Sequence, residues 1–158
     1  MCLFIGNLAK KGWCRMNILL ADDDGDDRMF FSQILNEITT EANLETVSNG
    51  EELMTHLRDV VQMPDVLFLD LNMPLKNGQE CLQELKQNER TKLLPVIIYS
   101  TSLHEDIANQ LYDLGAHHYI RKSSLEELKR SLEYVLASFL KFKDTQPARN
   151  EFVLSTGQ

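Results

Sequence analysis

Several polar residues each stand at, or one residue past, the end of a short apolar run. Asp22-Asp23-Asp24 follows NILLA, Asp70 follows VLFL, Ser100 and Thr101 follow VIIY, and Lys122 follows the run around Tyr119 and Ile120. If the fold gathers the ends of these runs, several carboxylates share one small cleft. A pair of like charges about 4 Å apart costs roughly 4 kcal/mol at an effective dielectric of 20. Such a cluster must retain protons or hold a cation. Carboxylate oxygens favour a hard cation, and Mg²⁺ suits a few carboxylates completed by water and a substrate phosphate. Lys122 adds a positive charge able to pair with a carboxylate or a phosphoryl oxygen. A divalent cation and a lysine around one aspartate are the equipment for phosphoryl transfer onto that carboxylate, with the aspartate as nucleophile.

The elements between these residues alternate regularly. Apolar runs at Asn17–Ala21, Leu44–Val47, Val66–Leu69, Val96–Tyr99 and around Tyr119–Ile120 read as strands. Between and after them, apolar residues recur at three and four positions, as helices require: Met29, Phe30, Ile34, Leu35 and Ile38; Leu53, Leu57, Val60 and Val61; Cys81, Leu82 and Leu85; Ile107, Leu111 and Leu114; and Leu125 through Phe139. Five strand–helix units predict an α/β protein, a doubly wound five-stranded parallel sheet with helices on both faces. Pro64 and Pro95 stand just before strands, Asn77-Gly78 marks a turn, and Gly115 follows Leu114 as a helix C-cap does. Open parallel sheets bind ligands beyond the carboxyl ends of their strands, where the strand order reverses. In the order 2-1-3-4-5, strands one and three are neighbours at that point. The second strand ends in Ser48-Asn49-Gly50, without an ionisable group, and lies at the edge farthest from the cleft.

The chain has 158 residues, 43% apolar and 25% charged, which fits one globular domain. Its 24 acidic and 16 basic residues leave a net charge of −8. That surface argues against nucleic acid as a partner, because phosphate neutralisation needs Lys and Arg. Cys2, Cys14 and Cys81 are scattered and odd in number, so neither a disulfide framework nor a zinc site is expected, and a cytoplasmic setting fits best. No apolar run reaches the 18 or more residues of a membrane span. Residues 1–15 place apolar before basic residues, the reverse of a signal peptide, and are expected to be an extension outside the core. The domain is expected over 16–143. Residues 144–158 lose periodicity and read as a tail too short for an output domain.

The segments ILLADDD, LFLDLNMP, IIYSTS and GAHHYIRK, in this order and spacing, resemble the receiver domain of two-component response regulators, in particular the stand-alone receivers. The resemblance runs from about Met16 to Leu140 and implies the flavodoxin-like sheet argued above. It implies that Asp70 accepts a phosphoryl group from a histidine kinase or phosphotransfer protein, with Mg²⁺ as cofactor. By the same resemblance Asp23 is the principal acidic metal ligand, Asp22 binds through water, and Asn72 supplies a backbone carbonyl. Ser100 and Lys122 contact the phosphoryl group, Thr101 tunes its loss, and Tyr119 is the aromatic switch residue. Phosphorylation is then expected to draw Ser100 inward and let Tyr119 turn, altering the face of the fourth helix, fifth strand and fifth helix. Output is expected by binding a downstream protein or a second copy of the chain. One departure stands out: Ser123 follows the lysine where the family has proline. A non-proline cis bond costs about 2.5–4 kcal/mol, so a trans peptide is expected.

Plainer roles compete for the same residues. Asp26 and Asp27 read as the acidic first turn of a helix, favoured by its dipole. His104, His117 and His118 lack metal or triad spacing and read as structural or surface residues. A phosphohydrolase with an aspartate nucleophile usually carries a second acid two residues on, where this chain has Asn72. A pseudo-receiver that binds partners without phosphorylation draws its support from Ser123 alone.

Overall fold

The structure is a computed structural model and describes residues 15–154, so the extension expected over 1–15 lies, apart from Arg15, outside the described residues. Six parallel strands form one sheet: β1 (Met16–Ala21), β2 (Ala42–Val47), β3 (Val66–Leu69), β4 (Val96–Ser100), β5 (His118–Arg121) and β6 (Val153–Leu154). Their order is β2-β1-β3-β4-β5-β6, which contains the expected 2-1-3-4-5 order and adds one strand. The helices are α1 (Gly25–Ile38), α2 (Gly50–Asp59), α3 (Gly78–Gln87), α4 (Glu105–Asp113) and α5 (Leu125–Phe142).

Side-chain alternation along the strands divides the core into two layers. Leu19 and Ala21 of β1 face Leu53 and Leu57 of α2, Cys81, Leu82 and Leu85 of α3, and Leu111 of α4. Ile18 and Leu20 point the other way, into Phe31, Ile34 and Leu35 of α1 and Leu132, Val135 and Leu136 of α5. All four residues of β3 are buried, as a central parallel strand covered on both sides requires. Full burial of each such side chain contributes about 1.5–3 kcal/mol. Gly115, at φ +105°, ends α4 in the left-handed region, as its position after Leu114 predicts. His117 and His118 are buried, and burial holds both below the usual imidazole range, His117 at about 4.

Residues 144–154, expected as part of a tail, instead form a strap along the β5 edge. Gln146 donates to the Tyr112 and Ala116 carbonyls at 2.7 Å, and the Tyr112 hydroxyl donates to the Pro147 carbonyl at 2.8 Å. Arg149, opening a short 3-10 helix over Arg149–Glu151, pairs with Glu105 at 2.9 Å and Asn109 at 2.8 Å on α4. Phe152 is fully buried, packs edge-on to Tyr112, and accepts a hydrogen bond from the Tyr119 amide at 2.9 Å. A two-residue strand has no period to detect, and one aromatic anchor with side-chain-to-backbone bonds does the holding.

Phe152→Ala is expected to release the strap. Core Phe→Ala changes usually cost about 3–5 kcal/mol. Here the global loss is capped near 1–2 kcal/mol, because the strap can undock while the rest stays folded. Limited proteolysis should show faster cleavage within 144–154 and a lasting 16–143 core. Unchanged cleavage would mean that Phe152 is not the anchor.

Candidate functional site

The parallel register carries the site residues to one end of the sheet. Ala21 of β1 pairs with Leu69 of β3, so the next residues, Asp22 and Asp70, stand side by side. The Asp70 amide donates to the Ala21 carbonyl at 2.9 Å, and the Asp22 amide donates to the Val47 carbonyl at 3.1 Å. On the other side Ser100 pairs with Arg121, and the Lys122 amide donates to the Ser100 carbonyl at 2.7 Å. One carboxylate oxygen from each of Asp22, Asp23 and Asp70 lies within 4.8 Å of the others. Asp22 is fully buried, Asp70 is 4% exposed, and Asp23 faces solvent.

Local backbone bonds aim these acids. The Asp24 amide donates to Asp22 Oδ1 at 3.0 Å, and the Asn72 amide donates to Asp70 Oδ1 at 3.2 Å. Arg28 donates to the Asp22 carbonyl oxygen at 2.6 Å, so its guanidinium engages backbone at the edge of the cluster. Asp24 is the N-cap of α1, accepting from the amides of Asp26 and Asp27.

Lys122 enters the cleft with its side chain 9% exposed, at 2.7 Å from Asp22 Oδ2, 2.9 Å from Asp27 Oδ2 and 3.4 Å from Asp70 Oδ2. Its ammonium also sits 4.8 Å from the centre of the Tyr99 ring. The peptide to Ser123 is trans, as expected, and the lysine reaches the acids without the proline. Burial alone would favour a neutral amine, but the bonds to Asp22 and Asp27 overcome it and hold Lys122 above its usual range. Asp27 thus departs from its expected role as a plain first-turn acid, because the end of β5 lies directly over the first turn of α1. Asp26 stays exposed in that turn.

Burial, reinforced by the charge of Asp22 and opposed by Lys122, raises the Asp70 pKa from 3.8 to about 7. Three carboxylates around one lysine, with Asp23 beside them and the phosphoacceptor candidate reluctant to ionise, form a site short of positive charge. Carboxylate oxygens alone make up the Asp22, Asp23 and Asp70 group, the donor set of a hard divalent cation. The residues fit such an ion.

The remaining expected site residues ring this cluster. Ser100 Oγ is buried without a hydrogen-bond partner among the described residues. It lies beside the Tyr119 phenol, where burial raises the phenol pKa and Ser100 opposes that rise, while the phenol proton is donated to the Ser102 carbonyl. Thr101 and Asn72 are exposed at the rim. Tyr119 is 1% exposed, with Phe152 packed edge-on against its ring. It floors a cavity of about 260 Å³ between the loops after β3 and β4, lined by Asn72, Asn77, Ser102 and His104 among others. Gly78, read from sequence as part of a turn, lies against the acceptor strand end: a Cβ there would strike the Asp70 carbonyl.

Comparison with known proteins agrees with this geometry. Residues 18–133 match the family model described as the response regulator receiver domain. Response regulator Rcp1 of Synechocystis is 31% identical over 129 residues, covering 78% of this chain and 88% of that protein. The phosphorylated cyanobacterial phytochrome response regulator RcpA superposes with a TM-score of 0.75 at 33% identity, over 85% of this chain and all of that one. The Mn²⁺-bound form of Rcp1 superposes at 0.71 with 32% identity, over 84% and 99% of the two chains. With a matching sheet order, an acidic cluster fit for a phosphoacceptor site and a family match across most of its length, this chain belongs to the response regulator receiver domain family.

Proposed function

We propose that this chain accepts a phosphoryl group on Asp70 from a phosphohistidine of a histidine kinase or phosphotransfer protein. Receivers of two-component systems act as phosphoacceptor signalling domains. The observation that carries the reading here is a nearly buried Asp70 carboxylate held among Asp22, Asp23 and Lys122 at the carboxyl end of the sheet. An Asp70 oxygen attacks phosphorus, the P–N bond breaks, and the imidazole nitrogen leaves with the bonding pair. Lys122 meets negative charge on the entering group, and the buried Ser100 hydroxyl can donate to a phosphoryl oxygen. Mg²⁺ is the proposed cation, with Asp22, Asp23 and Asp70 as its carboxylates and the Asn72 carbonyl beside them. When bound, it neutralises charge on the phosphoryl oxygens and favours the ionised form of Asp70.

Output is by contact with a downstream protein in the cytoplasm, or with a second copy of the chain. The strap over 144–154 ties α4 to the β5 edge, so a partner approaching that face meets the strap as well as the helices. Thr101 and Asn72, exposed at the rim, are placed to set water access to the phosphoryl group.

The test is incubation with Mg²⁺ and acetyl phosphate, then measurement of intact mass. Wild type should gain one phosphoryl group, and Asp70→Asn none. Multiple turnover without an adduct would indicate a phosphohydrolase. No adduct from acetyl phosphate or a cognate kinase would indicate a binding module without phosphorylation.

A further inference from the structure

Asp27 reads from sequence as an ordinary acid in the first turn of a helix, and its amide does join the cap, donating to Asp24 Oδ1 at 3.3 Å. Its carboxylate does something else. Of the three acids around the Lys122 ammonium, Asp22 and Asp27 hold it at 2.7 and 2.9 Å, and Asp70 stands farther away at 3.4 Å. An ammonium has three N–H donors. Two are committed to acids that receive no phosphoryl group in the proposed reaction. The third points toward Asp70 from 3.4 Å, so drawing the ammonium closer to a phosphoryl group there stretches one of the two shorter bonds.

The two bonds are not equally easy to break. The Asp22 carboxylate is 0% exposed, so water cannot take the place of the lysine there. The Asp27 carboxylate is 29% exposed, so water can replace the lysine there at small cost. The contact that yields is therefore the one to Asp27.

We propose that Asp27 is a positioning residue that parks Lys122 short of Asp70 and competes with the phosphoryl group for its ammonium. This rests on the phosphoacceptor reading above and deepens it. Asp27 lowers the affinity of the site for a phosphoryl group while keeping the lysine ordered before phosphorylation. Asp22 and the Tyr99 ring keep Lys122 within the cleft when Asp27 is removed.

The test uses beryllofluoride, a phosphoryl mimic, titrated calorimetrically into the whole chain at saturating Mg²⁺. Asp27→Asn should bind it about three- to tenfold more tightly than wild type, and Asp27→Glu should return the affinity to near wild type. In a Lys122→Met background, Asp27→Asn should change the affinity less than twofold. Lys122→Gln serves if Lys122→Met does not fold. A helix-capping or generally structural role for Asp27 would not depend on the lysine in this way. Weaker binding by Asp27→Asn would overturn the proposal, since Asp27 would then be aiming the lysine rather than withholding it. An equal gain in both backgrounds would also overturn it, showing simple repulsion by the Asp27 charge. Wild type that binds no beryllofluoride, or Asp70→Asn that binds it as well, would instead overturn the phosphoacceptor reading itself.

Discussion

Asp70→Asn is expected to stabilise the cation-free protein at pH 8 by about 4 kcal/mol, at roughly 1.4 kcal/mol per pKa unit. The fold raises the Asp70 pKa from 3.8 to about 7, chiefly by burial, so the folded chain binds this proton more tightly than the unfolded one. Between those two values the folded state carries more protons. Its stability therefore falls as pH rises from about 4 to about 7, and stays lower above that. Asparagine removes the buried charge and keeps an oxygen to accept from the Asn72 amide. Lys122 retains Asp22 and Asp27 as partners. Denaturant titrations in EDTA should show the two proteins diverging with pH, nearly equal at pH 4 and farthest apart at pH 8. Comparing the pair at each pH cancels every other titrating group. Mg²⁺ should narrow the gap at pH 8, because an ion at 100 times its Kd adds about 2.7 kcal/mol to the state that binds it. A gain independent of pH, or a loss at pH 8, would show that the buried acid is not the source of strain.

That instability is the physical sign of a site, and much of the site is legible in the sequence. Asp22, Asp23, Asp70, Ser100 and Lys122 each follow an apolar run, and a parallel sheet brings strand ends together whatever the helices do. The five runs and the helical spacing between them call for a parallel sheet covered on both faces, and the resemblance to receivers supplies its order. Asp27 is not legible for the complementary reason: its partner lies 95 residues away, and only the placement of the end of β5 over α1 introduces them. The strap is hidden because two residues of strand carry no alternation, and the burial of Phe152 depends on Tyr112 and Tyr119 from elsewhere in the chain. Tyr119 is recognisable as an aromatic near a strand end, but its buried position comes from packing that no local pattern records.

Gly78 shows the same limit more sharply, and replacing it should have the largest effect on the fold. Gly25, Gly50 and Gly78 each open a helix, so local propensity treats them alike. Their surroundings do not. A Cβ at Gly25 would meet the Arg28 guanidinium at 3.5 Å, an ordinary contact with a flexible side chain. A Cβ at Gly78 would overlap the Asp70 carbonyl oxygen and come within 2.8 Å of Leu71 Cα, both of them backbone. No rotamer relieves that overlap. The amide of Gly78 also donates to the Leu71 carbonyl at 3.0 Å, fastening α3 beneath the acceptor loop. The loop has little slack, since Leu75 already sits at φ 68°. Gly25→Ala should be neutral or stabilise by up to about 1 kcal/mol through reduced chain entropy. Gly78→Ala should destabilise by about 3 kcal/mol or more, as severe overpacking does. It should also slow phosphorylation by acetyl phosphate at least tenfold in whatever protein remains folded, because α3 can withdraw only by moving the Asp70 backbone. Paired denaturant and intact-mass measurements on the two variants decide it: if they match in stability and rate, the close approach of Gly78 is not what seats Asp70.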